Sequence, residues 1–165
     1  MPCSEPSTAT HEAAHAGCSC FDSPGDKLVS TVPDFLFVYG TLMQGLPLHH
    51  LLANQCEFVG TGTVKGRLLD LGRYPGAVPD EAGIVHGEVY WRLAHGLLAS
   101  LDREEGHRPD APGLSLYLRR QTRVLLADGR EVVAWMYGYQ GPRDRSVPIP
   151  GGDYRQHIPA RALLR

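Results

Sequence analysis

The residue best placed to do chemistry is Glu105, at the end of a helix that the sequence predicts over residues 94–105. Leucines at positions 97, 98 and 101 repeat with helical spacing, and Glu105 lies four residues after Leu101. Its carboxyl group should therefore point along the apolar face. Burial and the negative end of the helix dipole both disfavour a carboxylate there and raise its pKa. A carboxyl group with a raised pKa suits general acid/base catalysis near neutral pH.

An inward carboxyl group at a helix end can also have a purely structural role. Arg119 or Arg120, on a strand predicted further along the chain, could pair with Glu105 and fix the helix. A guanidinium beside Glu105 would lower its pKa and make it a poorer base, so the position of Arg119 matters. On the same helix, Asp102 and Arg103 are predicted to point away from the apolar face.

A second candidate is the segment Tyr39-Gly40-Thr41-Leu42, which follows the apolar run of a predicted buried strand. A turn at Gly40 can aim several backbone N–H groups at one point and so bind an anion. An ordinary strand-to-loop turn is the alternative. Two further tyrosines, Tyr117 and Tyr139, lie on predicted strands and could offer their hydroxyl groups to a ligand, although such tyrosines more often simply pack.

The elements that must position these groups are mostly strands. Strands are predicted over residues 35–40, 58–71, 84–91, 116–126 and 131–139, with Asp128-Gly129 as a hairpin turn between the last two. Glycines at 60, 62 and 66 indicate bulges in a small curved sheet or barrel. Residues 72–83 are predicted to be a loop. Short helices are predicted over 48–53, 94–105 and 152–165, the last one broken or kinked by Pro159. The pattern predicts an α+β fold with a mostly antiparallel sheet.

The composition is that of one domain with a tail. The chain has 165 residues and a formal charge of −2, which gives no reason to expect nucleic acid or a membrane as a partner. It shows neither a long apolar run nor a secretory start, so we expect a cytoplasmic protein. Residues 1–33 are predicted to be a disordered tail, and residues 34–165 a single domain.

The predicted tail contains one motif of its own. His11-Glu12-Ala13-Ala14-His15 matches the H-E-x-x-H pattern of zinc peptidases, and three of the four cysteines lie nearby. No surrounding framework or third ligand is evident. We therefore predict a solvated tail and no metal site, with looser capture of a transition metal as the alternative.

Several short motifs together resemble the gamma-glutamylcyclotransferase family, in particular its gamma-glutamylamine cyclotransferase-like branch. Each motif is weak alone, but the set follows the family's order across the whole predicted domain. The matching segments are Tyr39-Gly40-Thr41-Leu42, Tyr74-Pro75, Val85-His86-Gly87-Glu88-Val89-Tyr90, Leu101-Asp102 with Glu105, Tyr117-Leu118-Arg119 and Gly152-Asp153-Tyr154.

The resemblance implies a small β-barrel with flanking helices. It also implies an enzyme that cyclises a γ-glutamyl amide to 5-oxoproline by intramolecular acyl transfer, releasing an amine or peptide. In that reaction Glu105 would be the acid/base, and the backbone amides around Tyr39 to Leu42 would hold the substrate, without cofactor or metal. The partner would be a small γ-glutamyl compound, and we expect a monomer or weak homodimer. A non-catalytic small-molecule-binding or regulatory module on the same fold is the alternative, because it would keep every fold motif.

Overall fold

The structure, a computed structural model, describes residues 32–158. Five strands within these residues close into a barrel in the order β1-β5-β2-β6-β7. β1 and β7 run parallel, and the other neighbouring strands run antiparallel. The predicted small, mostly antiparallel barrel is thus confirmed. The strands are β1 Phe35–Val38, β2 Glu57–Lys65, β3 Arg67–Asp70, β4 Pro75–Val78, β5 Ile84–Trp91, β6 Tyr117–Leu126, β7 Glu131–Tyr139 and β8 Val147–Pro148.

The predicted hairpin between β6 and β7 is confirmed. The amide of Leu126 donates to the carbonyl of Arg130 at 2.8 Å, which closes the turn. Gly129 has φ +88°, a conformation that glycine adopts without the steric penalty of a side chain. The hairpin fixes the register of the two strands, so Tyr117 pairs with Tyr139 and Arg119 with Tyr137.

The glycines of β2 shape the barrel in the way that the sequence predicts. The pairing of β2 with β5 shifts register between Phe58 and Gly60, which is a bulge. Gly62 lies where β2 meets β6, and a Cβ added there would come within 2.8 Å of a methyl group of Val124. Strand curvature and close approach of neighbouring strands are the two uses of glycine inside a strand.

A second, smaller sheet has the order β4-β3-β8, and it corrects one prediction. Residues 72–83 were expected to be a loop, but β4 lies inside them and all four of its residues are buried. A Cβ on Gly76 would lie 2.7 Å from the Cβ of Tyr139, so only glycine allows β4 to pass beneath that tyrosine. The turn-like composition of β4 therefore reflects close packing.

The helices are short, as predicted, with shifted ends. Helix α1 spans Leu97–Glu104 and helix α2 spans Tyr154–His157. The helix expected over residues 48–53 is a single 3-10 turn, His49–Leu51. Asp153 caps α2 by accepting hydrogen bonds from the amides of Arg155 and Gln156.

Some sequence predictions fall on residues that the structure does not describe. The tail motif His11-Glu12-Ala13-Ala14-His15 lies there, as do residues 159–165 of the last predicted helix. Across residues 32–158, no helix is long and apolar enough to cross a membrane. The same part of the chain holds no group of three or more His, Cys, Asp or Glu side chains arranged for a metal ion.

Candidate active site

A cavity of about 140 Å³ opens between one end of β1 and the last turn of α1. It brings together most of the residues singled out in the sequence, because Tyr39, Gly40, Thr41, Leu42, Glu105 and Tyr117 all line it. No arginine or lysine from residues 32–158 lines this cavity. The remaining lining residues are Phe37, Val38, Leu48, Tyr74, Pro75, Glu104, Leu116 and Tyr137.

The turn after β1 forms one wall of the cavity. Met43 donates to the carbonyl of Gly40 at 2.9 Å, which turns the chain back on itself. The amides of Gly40, Thr41 and Leu42 donate to no acceptor among the described residues. A Cβ on Gly40 would lie 2.7 Å from Cγ of Pro75, so the turn can pack against β4 only with glycine here. The geometry leaves unpaired N–H groups beside a concave surface, as anion binding requires.

The end of α1 presents Glu105 to the opposite wall. Gly106 has φ +64° and donates to the carbonyl of Arg103, while His107 donates to the carbonyl of Asp102 at 2.8 Å. This pair of hydrogen bonds is a Schellman motif, which stops a helix at a left-handed residue, usually glycine. The helix therefore ends directly after Glu105, as its apolar spacing and the glycine predict.

The Glu105 carboxyl group has no hydrogen-bond partner and opens into the cavity. The only fully enclosed side-chain nitrogen or oxygen left without a partner in residues 32–158 is Nε1 of Trp135, so the Glu105 oxygens are not sealed in. Burial raises the pKa of Glu105 to about 7, and the charge of neighbouring Glu104 adds to the shift. Glu105 is therefore divided between its acid and base forms near neutral pH, as proton transfer in both directions requires.

Arg119 does not pair with Glu105. Its Nη1 lies 3.1 Å from Oδ2 of Asp102, and Oδ1 of Asp102 accepts a 2.7 Å hydrogen bond from the hydroxyl of Tyr137. The expectation that Asp102 points away from the packed face is wrong, because these two partners hold it against β6 and β7. Because Arg119 pairs with Asp102, its guanidinium does not pair with Glu105 and does not lower the pKa of that carboxyl group.

Three tyrosines surround Glu105, and the proton of each hydroxyl is already donated. Tyr39 donates to the carbonyl of Tyr137 at 2.6 Å, and Tyr117 donates to the carbonyl of Pro75 at 2.7 Å. The third, Tyr137, donates to Asp102. Burial raises the pKa of all three, and the charge of Glu105 adds to each shift. All three side chains are neutral, and each hydroxyl donates its proton to an acceptor within the protein.

The structure places Tyr139 outside the cavity. Its hydroxyl donates to the carbonyl of Pro142 at 2.7 Å, and its ring packs edge-on against Tyr117, with 5.2 Å between centroids. Tyr137, two residues earlier on the same face of β7, occupies the cavity wall instead. Strand periodicity gives both tyrosines the same facing. The sequence analysis thus selected the face of β7 that lines the cavity, but Tyr137 and not Tyr139 is the residue of that face in the cavity wall.

Glu88 does not line the cavity but anchors the turn after β1. The sequence analysis gave it no role of its own. Its buried carboxylate accepts hydrogen bonds from the amide of Gln44 at 2.9 Å and the hydroxyl of Tyr90 at 2.7 Å. Arg155 of α2 forms an ion pair with it and also donates to the carbonyl of Gln44. Glu88 thus ties the turn after β1 to β5 and α2.

Comparison with known proteins decides the family. Residues 36–156 match the family described as gamma-glutamyl cyclotransferase, AIG2-like. The chain belongs to this family. The Escherichia coli gamma-glutamylcyclotransferase family protein YtfP is 36% identical over 122 residues, which cover 72% of this chain and 94% of that protein.

Two solved structures share the fold. The mouse AIG2-like protein GGACT matches with a TM-score of 0.55 and 26% identity, over 67% of this chain and 81% of that one. YkqA from Bacillus subtilis matches with a TM-score of 0.59 and 27% identity, and the match covers 76% of this chain and 40% of the longer YkqA chain. The family and fold support a gamma-glutamylcyclotransferase-like function for this chain.

Proposed function

We propose that this protein cyclises a γ-glutamyl amide to 5-oxoproline and releases an amine or peptide, with Glu105 as the general acid/base. The observation that carries the proposal is Glu105 itself. Its carboxyl group opens into a cavity without a partner, and burial raises its pKa to about 7. A structural carboxylate would be paired or hydrogen-bonded, because leaving it unpaired in a partly buried site costs stability.

The turn after β1 would bind the α-carboxylate of the substrate. The amides of Gly40, Thr41 and Leu42 have no acceptor among residues 32–158, and a carboxylate would satisfy them. Because no cationic side chain of the described residues lines the cavity, these amides are the available counterpart for an anion. Binding there would place the glutamyl chain between the turn and Glu105.

The reaction moves two protons from the α-nitrogen to the leaving nitrogen. The Glu105 carboxylate takes one proton from the α-ammonium group, and the freed amine attacks the γ-carbonyl carbon. A carbon–nitrogen bond forms, and the original amide bond breaks as Glu105 returns its proton to the leaving nitrogen. A second proton then follows from the ring nitrogen, which leaves 5-oxoproline and a protonated amine. One carboxyl group with a pKa near 7 can perform both transfers.

Orientation would supply much of the rate. The nucleophile and the carbonyl belong to one molecule, so the cavity has only to hold the glutamyl chain in its folded, reactive conformation. The apolar side chains of Phe37, Leu48 and Leu116 line the cavity and can exclude water from that conformer.

The test is release of 5-oxoproline from a panel of γ-glutamyl-amino acids, γ-glutamyl-ε-lysine, a γ-glutamyl-alkylamine and glutathione. We expect the wild-type protein to release product from at least one member and Glu105→Gln to lose the activity by about 10²-fold or more. Full activity in Glu105→Gln would remove the catalytic assignment. Thermal stabilisation by γ-glutamyl compounds without any turnover would favour the alternative, a non-catalytic binding module.

A further inference from the structure

We propose that the hydroxyl oxygen of Tyr137 accepts a hydrogen bond from the α-nitrogen of the substrate, and that Asp102 is the positioning residue that orients this hydroxyl. The inference rests on the function proposed above. It goes further by naming the group that binds the nitrogen, and by giving a role to an ion pair that lies behind the cavity wall.

The hydroxyl proton of Tyr137 points away from the cavity. Oδ1 of Asp102 accepts it at 2.7 Å, whereas the carbonyl of Leu98, at 3.3 Å, is the weaker acceptor. Arg119 donates to the other oxygen of Asp102 at 3.1 Å, so the two contacts together fix the orientation of this carboxyl group and keep Oδ1 directed at Tyr137. Tyr137 lines the cavity and has a single hydroxyl proton, which Asp102 accepts, so a ligand that contacts this hydroxyl meets only its lone pairs.

Two properties make this oxygen a good acceptor. Burial raises the pKa of Tyr137, with Asp102 as the next largest cause, so the phenol keeps its proton at physiological pH. Donation to a carboxylate also polarises the O–H bond and strengthens the oxygen as an acceptor, because linked hydrogen bonds reinforce one another.

The hydrogen-bond donors and acceptors of the cavity lie on opposite walls. Its donors are the free amides of Gly40, Thr41 and Leu42, and its acceptors in this proposal are the carboxyl group of Glu105 and the hydroxyl oxygen of Tyr137. A γ-glutamyl group carries a carboxylate and an ammonium group on the same carbon. When the carboxylate binds the amides, the ammonium group faces Glu105 and Tyr137. After Glu105 has removed a proton from the α-nitrogen, Tyr137 still accepts a hydrogen bond from this nitrogen. That hydrogen bond keeps the lone pair of the nitrogen directed at the γ-carbonyl carbon.

Asp102→Asn should invert the hydrogen bond to Tyr137. The guanidinium of Arg119 can only donate, so it would attract the amide oxygen of the new side chain. The amide NH₂ group would then face Tyr137 and donate to it, which frees the hydroxyl proton to turn into the cavity. A donor directed at the ammonium group repels it, so this isosteric change should weaken substrate binding.

The experiment compares a γ-glutamyl substrate with its analogue lacking the α-amino group, which cannot cyclise and serves as an inhibitor. In Tyr137→Phe and in Asp102→Asn, KM for the substrate should rise about tenfold or more, since hydrogen bonds to charged groups have this strength. The Ki of the desamino analogue should stay within about twofold in both variants. Tyr139→Phe is the matched control, because its hydroxyl is bonded to Pro142 outside the cavity, and it should change neither constant.

Each other outcome overturns the inference. If KM and Ki rise together in Tyr137→Phe, the hydroxyl has only a packing role while the proposed function stands. If KM is unchanged, Tyr137 does not bind the nitrogen. If the wild-type protein turns over no γ-glutamyl compound and binds none, the proposed function fails, and this inference fails with it.

Discussion

The guanidinium of Arg119 pairs with Asp102, at 3.1 Å between Nη1 and Oδ2, and so leaves Glu105 without a cation. Asp102 and Glu105 lie three residues apart on one helix end, yet their environments differ. Asp102 is held by an ion pair and a tyrosine hydroxyl, whereas Glu105 opens into the cavity without a partner and has its pKa raised to about 7 by burial. Two carboxyl groups in different environments can thus perform different tasks, one positioning and one transferring protons.

The first prediction concerns the pH dependence of turnover. The proposed mechanism starts from the carboxylate form of Glu105, so it predicts that kcat/KM falls about tenfold for each unit that the pH drops below about 7. Release of 5-oxoproline measured between pH 5 and 8 would give the apparent pKa. The residual activity of Glu105→Gln should not show this fall of kcat/KM at low pH. An apparent pKa at the ordinary glutamate value of 4.5 would contradict the assignment.

The second prediction concerns stability. In the unfolded chain Glu105 loses its proton near pH 4.5, but in the folded protein it keeps the proton to about pH 7. Between these values the folded state binds more protons, so its stability falls as the pH rises through this window and stays lower above it. Glu105→Gln removes the penalty. The variant should be more stable than the wild type at pH 8, by up to about 3 kcal/mol, with little difference at pH 4.

Urea unfolding of both proteins at pH 4 and pH 8 measures this effect. Glu131→Gln, on the exposed surface of β7, is the control and should show no comparable gain at pH 8. Equal stability of the wild type and Glu105→Gln at pH 8 would mean that burial does not disfavour the charged form of Glu105.

The position of Glu105 could be predicted from sequence because its determinants are local. Helical spacing of leucines, a glycine stop and the carboxyl group all lie within ten residues. The environment of Asp102 could not, because its partners Tyr137 and Arg119 lie 35 and 17 positions away, and only the fold brings them together. Side-chain orientation at a helix edge is decided by such long-range partners more than by helical periodicity.

The missed strand β4 has a similar explanation. Pro75 and Gly76 break regular structure in most contexts, so residues 72–83 carry the composition of a loop. In the folded protein Gly76 is needed where the strand passes beneath Tyr139, and Pro75 occupies the first position of the strand. Local propensity was overridden by packing against a strand more than sixty residues away.

The third prediction tests the turn that would bind the carboxylate. Gly40→Ala places a methyl group 2.7 Å from Cγ of Pro75, so either the turn or β4 must move. We expect KM for a γ-glutamyl substrate to rise about tenfold or more, because misplaced amides bind the carboxylate less well. Gly60→Ala is the control, since nothing lies within 4 Å of its added Cβ and its φ is ordinary. A normal KM in Gly40→Ala would show that the turn is not part of the binding site.

The fourth prediction concerns Glu88, which supports that turn. Glu88→Ala would leave the amide of Gln44, the hydroxyl of Tyr90 and the guanidinium of Arg155 without their shared acceptor in a buried site. Removing one partner of such a network typically costs about 3–5 kcal/mol. Urea unfolding should therefore show a loss of about 3 kcal/mol, and KM should rise because the turn after β1 loses its anchor.

The matched control for Glu88 is Glu57→Ala. Glu57 also pairs with an arginine, Arg92, and accepts a hydrogen bond from Trp91, but both side chains of its ion pair are more than half exposed. Exposed pairs contribute about 1 kcal/mol or less, so this variant should keep nearly full stability and an unchanged KM. If both variants lose the same small amount of stability, burial of Glu88 does not anchor the turn. If Glu88→Ala loses stability while KM stays constant, the turn holds its shape without α2, and the packing of Gly40 against Pro75 alone positions the amides.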